Sequence, residues 1–403
     1  MIRREMYMKQ ICAFMDKPVI KVLTGMRRSG KSMLLQMIKD DLGKRHIEPE
    51  RIIYMNFESL RYEAFKNYRA LYDEICRQIG DTSAKVYILL DEIQEVTDWE
   101  KAVNSLRVDF DCDIYLTGSN ANLLSGELAT LLSGRYVEIR VYPLSFAEYL
   151  QFTARNPEER HIEKEQQFIN FLQYGGLPGI HQLRWQEDIV LQYVTDIYNS
   201  VLLKDIISRY KFRDAAMLER IVQYVMDNIG NIFSAKSVTD FLKSQGRKAS
   251  AETVYNYLRA LESAFLLYRV PRFDIKGKRL LETQEKYYVS DLGIRHAVLG
   301  YRDNDIAGLL ENIVYVSLIQ RGYNVYIGKQ GTLEVDFIAQ KQDERMYIQV
   351  CYVLTPENTE REFRPLEQIQ DNYEKIVLSM NSLLPINRGG IKQKSIVDFL
   401  LGK

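Results

Sequence analysis

The chain has 403 residues, enough for two to four domains with several buried cores, and its 54 basic residues balance 54 acidic ones. Zero net charge argues against a protein that coats nucleic acid or anionic membrane by bulk charge, while leaving room for a local basic patch. No apolar run approaches the ~18 residues that span a bilayer, and the start MIRREMYMKQICAF lacks the apolar stretch of a signal peptide. Cys12, Cys76, Cys112 and Cys351 have neither metal-ligand nor disulfide-framework spacing, and His46, His161, His181 and His296 are equally scattered. The expectation is a soluble cytoplasmic protein with no membrane partner.

In chain order, the first 150 residues alternate apolar β-type runs with helical stretches. The runs are VIKVLTG (19–25), RIIYMNF (51–57), VYILLDE (86–92), DIYLTGS (113–119) and RYVEIRVY (135–142). Five buried strands separated by helices predict an α/β domain, a parallel five-stranded sheet covered on both faces. Between the first run and the helix MLLQMIKDDL lies GMRRSGKS, which satisfies G-x-x-x-x-G-K-S from Gly25 to Ser32. Gly25 and Gly30 let the backbone curl until its N–H groups, with those of Arg28, Ser29 and Met33, point at phosphate oxygens. The helix N-terminus adds partial positive charge. Lys31 can reach the β- and γ-phosphates of ATP, and the Ser32 hydroxyl can complete a Mg2+ shell. Arg27 and Arg28 suit either phosphate contact or salt bridging.

The third run ends in Asp91 and Glu92. Asp91 is expected to meet Mg2+ through its shell and Glu92 to polarise the attacking water, a pairing that suits hydrolysis better than small-molecule kinase chemistry. Ser119 or Asn120, at the end of the fourth run, either senses the γ-phosphate or caps the next helix. Arg135, opening the fifth, is either a finger reaching a neighbouring subunit's phosphates or a plain surface arginine. Trp99 is expected to pack behind the third run.

From NPEERHIEKEQQ (156–167), read as a solvated helix face, the chain is mainly helical to about 262, interrupted by YGGLPG (174–179). Helical segments near 216–229, 235–245 and 251–262 precede FLLYRVPRFD, the turn IKGKRL and KYYVSD, the layout of a winged helix. Its last helix would be capped by Ser250, with Glu252 in the first turn favouring the helix dipole but repelling phosphate. Arg269, Arg272, Lys276, Lys278 and Arg279 face only Asp274 within eleven residues, enough for several DNA phosphate contacts; packing against a protein is the other reading. Lys243, Arg247 and Lys248 would extend that face.

The last hundred residues open with the helix LLENIVYVSLIQRGY (309–323), then two strands in EVDFIAQKQDERMYIQVCY (334–352). Metal-dependent endonuclease cores place one acid on an early helix, one on a strand, and an acid-x-lysine pair on the next strand. Glu311 fills the helix position and Asp336 the strand position, with Glu334 on the same face. Gln349 stands at the third acid and Cys351 at the lysine, so a charged ligand and the only cation are missing. The expectation is a degenerate nuclease fold kept as a binding or structural module.

LTGMRRSGKSMLL, ILLDEIQEVTDWEKAVNSL, YLTGSNANLLSGEL…LLSGRYVEIRVYPLSFAEYL and YGGLPG together resemble a family of prokaryotic AAA+-like P-loop ATPases. The later stretches KYYVSDLGIRHA and GLLENIVYVSLIQRGYNVYIGKQGTLEVDFIA…YIQVCY match the same family. The resemblance implies an ATPase core over 1–150, a helical lid over 151–210, a winged helix over 211–300 and a restriction-endonuclease-like domain over 301–403. It implies ATP binding and hydrolysis, with Lys31, Ser32, Asp91 and Glu92 in the Walker roles, Ser119 as sensor and Arg135 as candidate finger. The finger reading of Arg135 carries with it the expectation of a homo-oligomer.

Overall fold

The structure is a computed structural model and describes residues 2–124, 134–156, 159–183, 186–302, 305–381 and 387–403. The stretch 125–133, part of the family resemblance, lies outside the described residues. Two compact units are present: Met1–Tyr142 with Ser263–Phe265, and Pro143–Glu262 with Leu266–Lys403.

The first unit is built on five parallel strands, β1 (Ile20–Thr24), β2 (Ile52–Asn56), β3 (Val86–Asp91), β4 (Cys112–Gly118) and β5 (Tyr136–Arg140), in the order β2-β3-β4-β1-β5. β1 and β3 are buried at every position because helices cover both faces, whereas the edge strand β2 alternates buried and half-buried residues. Period two divides the core: Ile88 and Leu90 pack with Leu71, Ile75, Trp99 and Leu106 on one side, and Tyr87 and Leu89 with Leu34, Ile38 and Met8 on the other. Trp99 is thus a core residue behind β3, as expected. β4 lies between β1 and β3, so the phosphate loop and the acids that end β3 meet at the C-terminal ends of the strands, beside the end of β4.

The second unit begins eight residues before the expected boundary at 150. Leu144 N–H donates to the Gly176 carbonyl at 2.7 Å, and Ser145 opens the helix Phe146–Arg155 with a capping box to Glu148. Phe146 then packs on Phe168 and Phe171, with ring centroids 5.2 and 5.4 Å apart, which holds that helix to the helical region rather than to the sheet.

The stretch read as a solvated helix is different. The helix starts only at Lys164, and Glu159 is buried, accepting from Asn156 Nδ2 and lying 3.0 Å from Nδ1 of His181, whose ring packs on Tyr149 and Phe152. A polar run conceals a buried carboxylate here because a histidine twenty-two residues on supplies its partner.

Helices Ala215–Asp227, Ala235–Ser244 and Ala251–Ser263 precede the antiparallel pair β6 (Leu267–Asp274) and β7 (Arg279–Val289). Ser250 Oγ accepts the Thr253 N–H at 3.1 Å, the cap the sequence suggests. The pair does not stand apart from the later strands. With β8 (Asn324–Gln330), β9 (Leu333–Lys341), β10 (Glu344–Val350), β11 (Glu374–Ser379), β12 (Asn387–Arg388) and β13 (Ile391–Ser395) it forms one sheet, ordered β12-β13-β11-β10-β9-β8-β6-β7. β6 runs parallel to β8, and Phe273 and Ile275 pack into the apolar cluster of Val335, Ile338 and Tyr347. The boundary expected at 300 therefore falls inside a shared sheet and core. Among the described residues no helix is long and apolar enough to cross a membrane.

Candidate functional site

Residues 25–30 turn from β1 into the helix Lys31–Lys44. At Gly25 φ is +146°, and a Cβ there would lie 2.1 Å from the Val141 carbonyl oxygen, so the position admits only glycine. The loop is braced from the opposite side by Arg4, whose guanidinium donates to the carbonyls of Ser29 at 2.9 Å and Tyr142 at 3.0 Å. Lys31 is buried and donates to the carbonyls of Gly25 and Met26 at 3.0 and 3.1 Å, with Glu92 Oε1 3.8 Å away. The Ser29 hydroxyl is buried without a hydrogen-bond partner inside the loop. Arg28 is exposed with φ +66°, Met33 is 42% exposed, and Arg27 salt-bridges Glu58 at 2.8 Å. Of the two readings open for Arg27, the structure records the salt bridge.

Asp91 is fully buried and accepts four side-chain donors: Ser32 Oγ at 3.0 Å, Thr117 Oγ1 at 2.5 Å, Tyr54 OH at 3.0 Å and Asn56 Nδ2 at 3.1 Å. Burial pushes its carboxyl up, and the Thr117 and Ser32 donors offset only part of that rise. Glu92 follows in a left-handed conformation, φ +54°, with its N–H held by Thr117 Oγ1 at 2.8 Å. Burial pushes its carboxyl up as well, but Lys31, the Gln94 amide and Arg27 outweigh it, so the net shift is downward. Gln94 Nε2 donates to Glu92 Oε2 and lies 3.5 Å from the Ser119 hydroxyl, which is buried at the end of β4. Arg135 is exposed at the entry to β5, with its carbonyl accepting the Ile20 N–H at 2.8 Å.

These contacts fit Mg-ATP. Ser32 and Asp91, the two expected metal-shell residues, already face each other; the buried Ser29 hydroxyl lacks a partner; and the Lys31 ammonium rests on loop carbonyls. The sequence reading missed Arg4, Tyr54, Asn56, Thr117 and Gln94. A signal existed for Asn56, which ends β2 directly opposite Asp91 in the parallel register.

In the second unit the nuclease-like residues cluster, with one correction. Glu311 comes from the helix Ile306–Gln320, and Glu334 and Asp336 from β9. The cluster does not lack a cation: Lys286 of β7, 4% exposed, lies 3.3 Å from Glu311 Oε2 and 2.8 Å from Glu334 Oε1. Tyr288 OH donates to the same Glu311 oxygen at 2.9 Å, and the Val350 N–H donates to Asp336 Oδ2 at 2.8 Å. Burial lowers the Lys286 affinity for its proton, yet Glu311, Asp336 and Glu334 reverse the sign, and the ammonium is held charged. Asp336 is pushed well up by burial and then by Glu311. Gln349 keeps a buried amide oxygen without a partner, and Cys351 packs in the apolar cluster with its thiol pushed up to about 12 by burial. Among the described residues no group of three or more His, Cys, Asp or Glu is arranged to hold a metal ion.

The basic hairpin also needs a correction. Lys276, Lys278 and Arg279 are exposed around the turn, but Arg272 is buried and donates to Gln284 Oε1, so it is not available to a phosphate. It shares strand parity with buried Tyr268 and Val270, which decides its direction.

Residues 17–150 match the model of an AAA domain, and residues 165–305 that of a domain of unknown function. An uncharacterised protein of Haemophilus influenzae is 41% identical over all of this chain and 99% of its own length. An uncharacterised protein of Methanocaldococcus jannaschii is 32% identical over 87% of this chain and 78% of its own. Among solved structures, a Walker-type ATPase of Pyrococcus abyssi superposes over 74% of this chain and 95% of its own with a TM-score of 0.52 at 16% identity, a likeness of fold. With its parallel sheet, phosphate loop and paired acids at the end of β3, the chain belongs to this family of prokaryotic AAA+-like P-loop ATPases.

Proposed function

We propose that the protein is a Mg2+-dependent ATPase of the cytoplasm that acts as a switch or motor, and that hydrolysis changes how its C-terminal region engages DNA. The observation that carries the ATPase reading is the constellation at the end of β3, where Asp91 faces Ser32 and Glu92 faces Lys31. Ser32 and Asp91 would hold the metal, which supplies charge neutralisation of the phosphates when bound. Lys31 exchanges its loop carbonyls for phosphate oxygens. Glu92 accepts the proton of the attacking water as the water oxygen bonds to the γ-phosphorus and the bridging oxygen leaves with ADP. Ser119, beside Gln94, reports the loss of the γ-phosphate, and exposed Arg135 is free to serve a neighbouring copy in a homo-oligomer.

DNA coupling rests on Lys276, Lys278 and Arg279, three exposed cations around one turn. We read the Glu311–Glu334–Asp336 cluster as a structural remnant of a nuclease fold, because the Lys286 ammonium takes up the space and charge between two of the acids. Phosphate release from Mg-ATP, measured with and without duplex and single-stranded DNA, tests both parts. Turnover that DNA accelerates supports the reading. Turnover indifferent to DNA refutes the coupling and favours a protein-binding switch, and no turnover refutes the ATPase.

A further inference from the structure

Glu92 is held from two sides. Its Oε2 takes the Gln94 amide N–H, and its Oε1 faces Lys31 at 3.8 Å. The Gln94 side chain is itself wedged at the ends of two strands. Its Nε2 lies between Glu92 and the Ser119 hydroxyl, and its Oε1 is buried against Gly118, where a Cβ would come within 2.9 Å. Gln94 sits two residues beyond Glu92 on the short turn Ile93–Glu95, so the left-handed backbone at Glu92 folds the amide back over the carboxylate that precedes it.

The two restraints on Glu92 differ in permanence. Lys31 is expected to turn to the phosphates when ATP arrives, whereas the Gln94 side chain is held at the strand ends by Gly118 and Ser119. With the ammonium gone, Glu92 keeps Oε2 fixed by the Gln94 amide and has Oε1 free to face the attacking water. On this basis we propose that Gln94 is a positioning residue for hydrolysis: it clamps one oxygen of Glu92 and links it to Ser119, so that nucleotide binding itself releases the other oxygen to the attacking water. The inference rests on the ATPase reading and deepens it.

The test compares wild type, Glu92→Gln, Gln94→Leu and Gln94→Met by steady-state phosphate release, with affinity for a fluorescent ATP analogue measured alongside. Loss of a hydrogen bond to a carboxylate predicts that kcat of both Gln94 variants falls roughly 10- to 100-fold. KM and analogue affinity should stay within about twofold, since Gln94 is placed to act on the base rather than on phosphate binding. A merely structural role would lower analogue affinity in step with kcat, and that result overturns the proposal. Wild-type kcat in either Gln94 variant, alongside an inactive Glu92→Gln, also overturns it while leaving the ATPase standing. An inactive wild type overturns both.

Discussion

Replacing Lys286 by Met removes the ammonium held among Glu311, Glu334 and Asp336 while keeping most of the side-chain volume. The cost is set by the carboxylates left behind. Glu334 is 30% exposed and regains water, so its share is small, but Glu311 is 16% exposed and Asp336 is buried. Breaking a buried pair by deleting one partner typically costs about 3–5 kcal/mol. Because Glu334 is partly hydrated, the lower end, ~3 kcal/mol at pH 8, is expected here. The pH dependence gives the sharper signature. Glu311 and Asp336 already have carboxyls raised by burial, and losing the cation raises them further. A group raised in the folded state contributes stability that is present at low pH and lost as pH rises, so the deficit of the variant should shrink from pH 8 towards pH 5. Urea unfolding followed by circular dichroism at both pH values reads this directly. Adding Glu311→Gln to Lys286→Met should restore part of the loss, since the neutral amide still accepts from Tyr288 OH. A loss below ~1 kcal/mol at pH 8, or one independent of pH, would refute the account of this cluster.

Gly25→Ala must place its Cβ 2.1 Å from the Val141 oxygen at a left-handed φ, so ATP-analogue binding should be lost and the melting temperature lowered, as calorimetry with and without nucleotide would show. Asp291 accepts the Gly176 N–H at 2.7 Å and caps the helix Leu292–Leu299, and burial pushes its carboxyl up to about 6. Its folded value is raised, so the favourable term is complete below about pH 4 and lost as pH passes 6; relative to Asp291→Asn, wild type should lose up to ~3 kcal/mol between those values, measured by denaturant titration. Charge reversal at Lys276, Lys278 and Arg279 should weaken DNA binding and flatten its salt dependence without changing the melting temperature. Arg272→Ala should do the opposite, costing ~1–3 kcal/mol of stability through a buried hydrogen bond.

What could be read from the sequence was what is local along the chain. The phosphate loop needs two glycines, a lysine and a serine within eight residues, flanked by a strand and a helix, and every one of them lies where that pattern requires. The inner strands β1 and β3 are equally plain, because burial on both faces leaves uninterrupted apolar runs. What escaped depends on pairing across the chain. Lys286 enters the acid cluster from a strand almost fifty residues before Glu334, and nothing near either residue announces the meeting. The division at 300 failed for the same reason: β6 joins β8 through a parallel pairing that leaves no mark in composition. Arg272 is a different case. Strand parity with Val270 points its side chain inward, while the density of positive charge around the turn points to phosphate contact.

The central claim, that Glu92 is the base of an ATP-hydrolysing site, is tested most directly by measuring Mg-ATP affinity and single-turnover hydrolysis in the wild type and in Glu92→Gln side by side. Affinity should be nearly unchanged, because Lys31 and the loop bind the phosphates, while turnover should fall roughly 10²- to 10⁴-fold. Turnover in Glu92→Gln within a fewfold of wild type would contradict that claim.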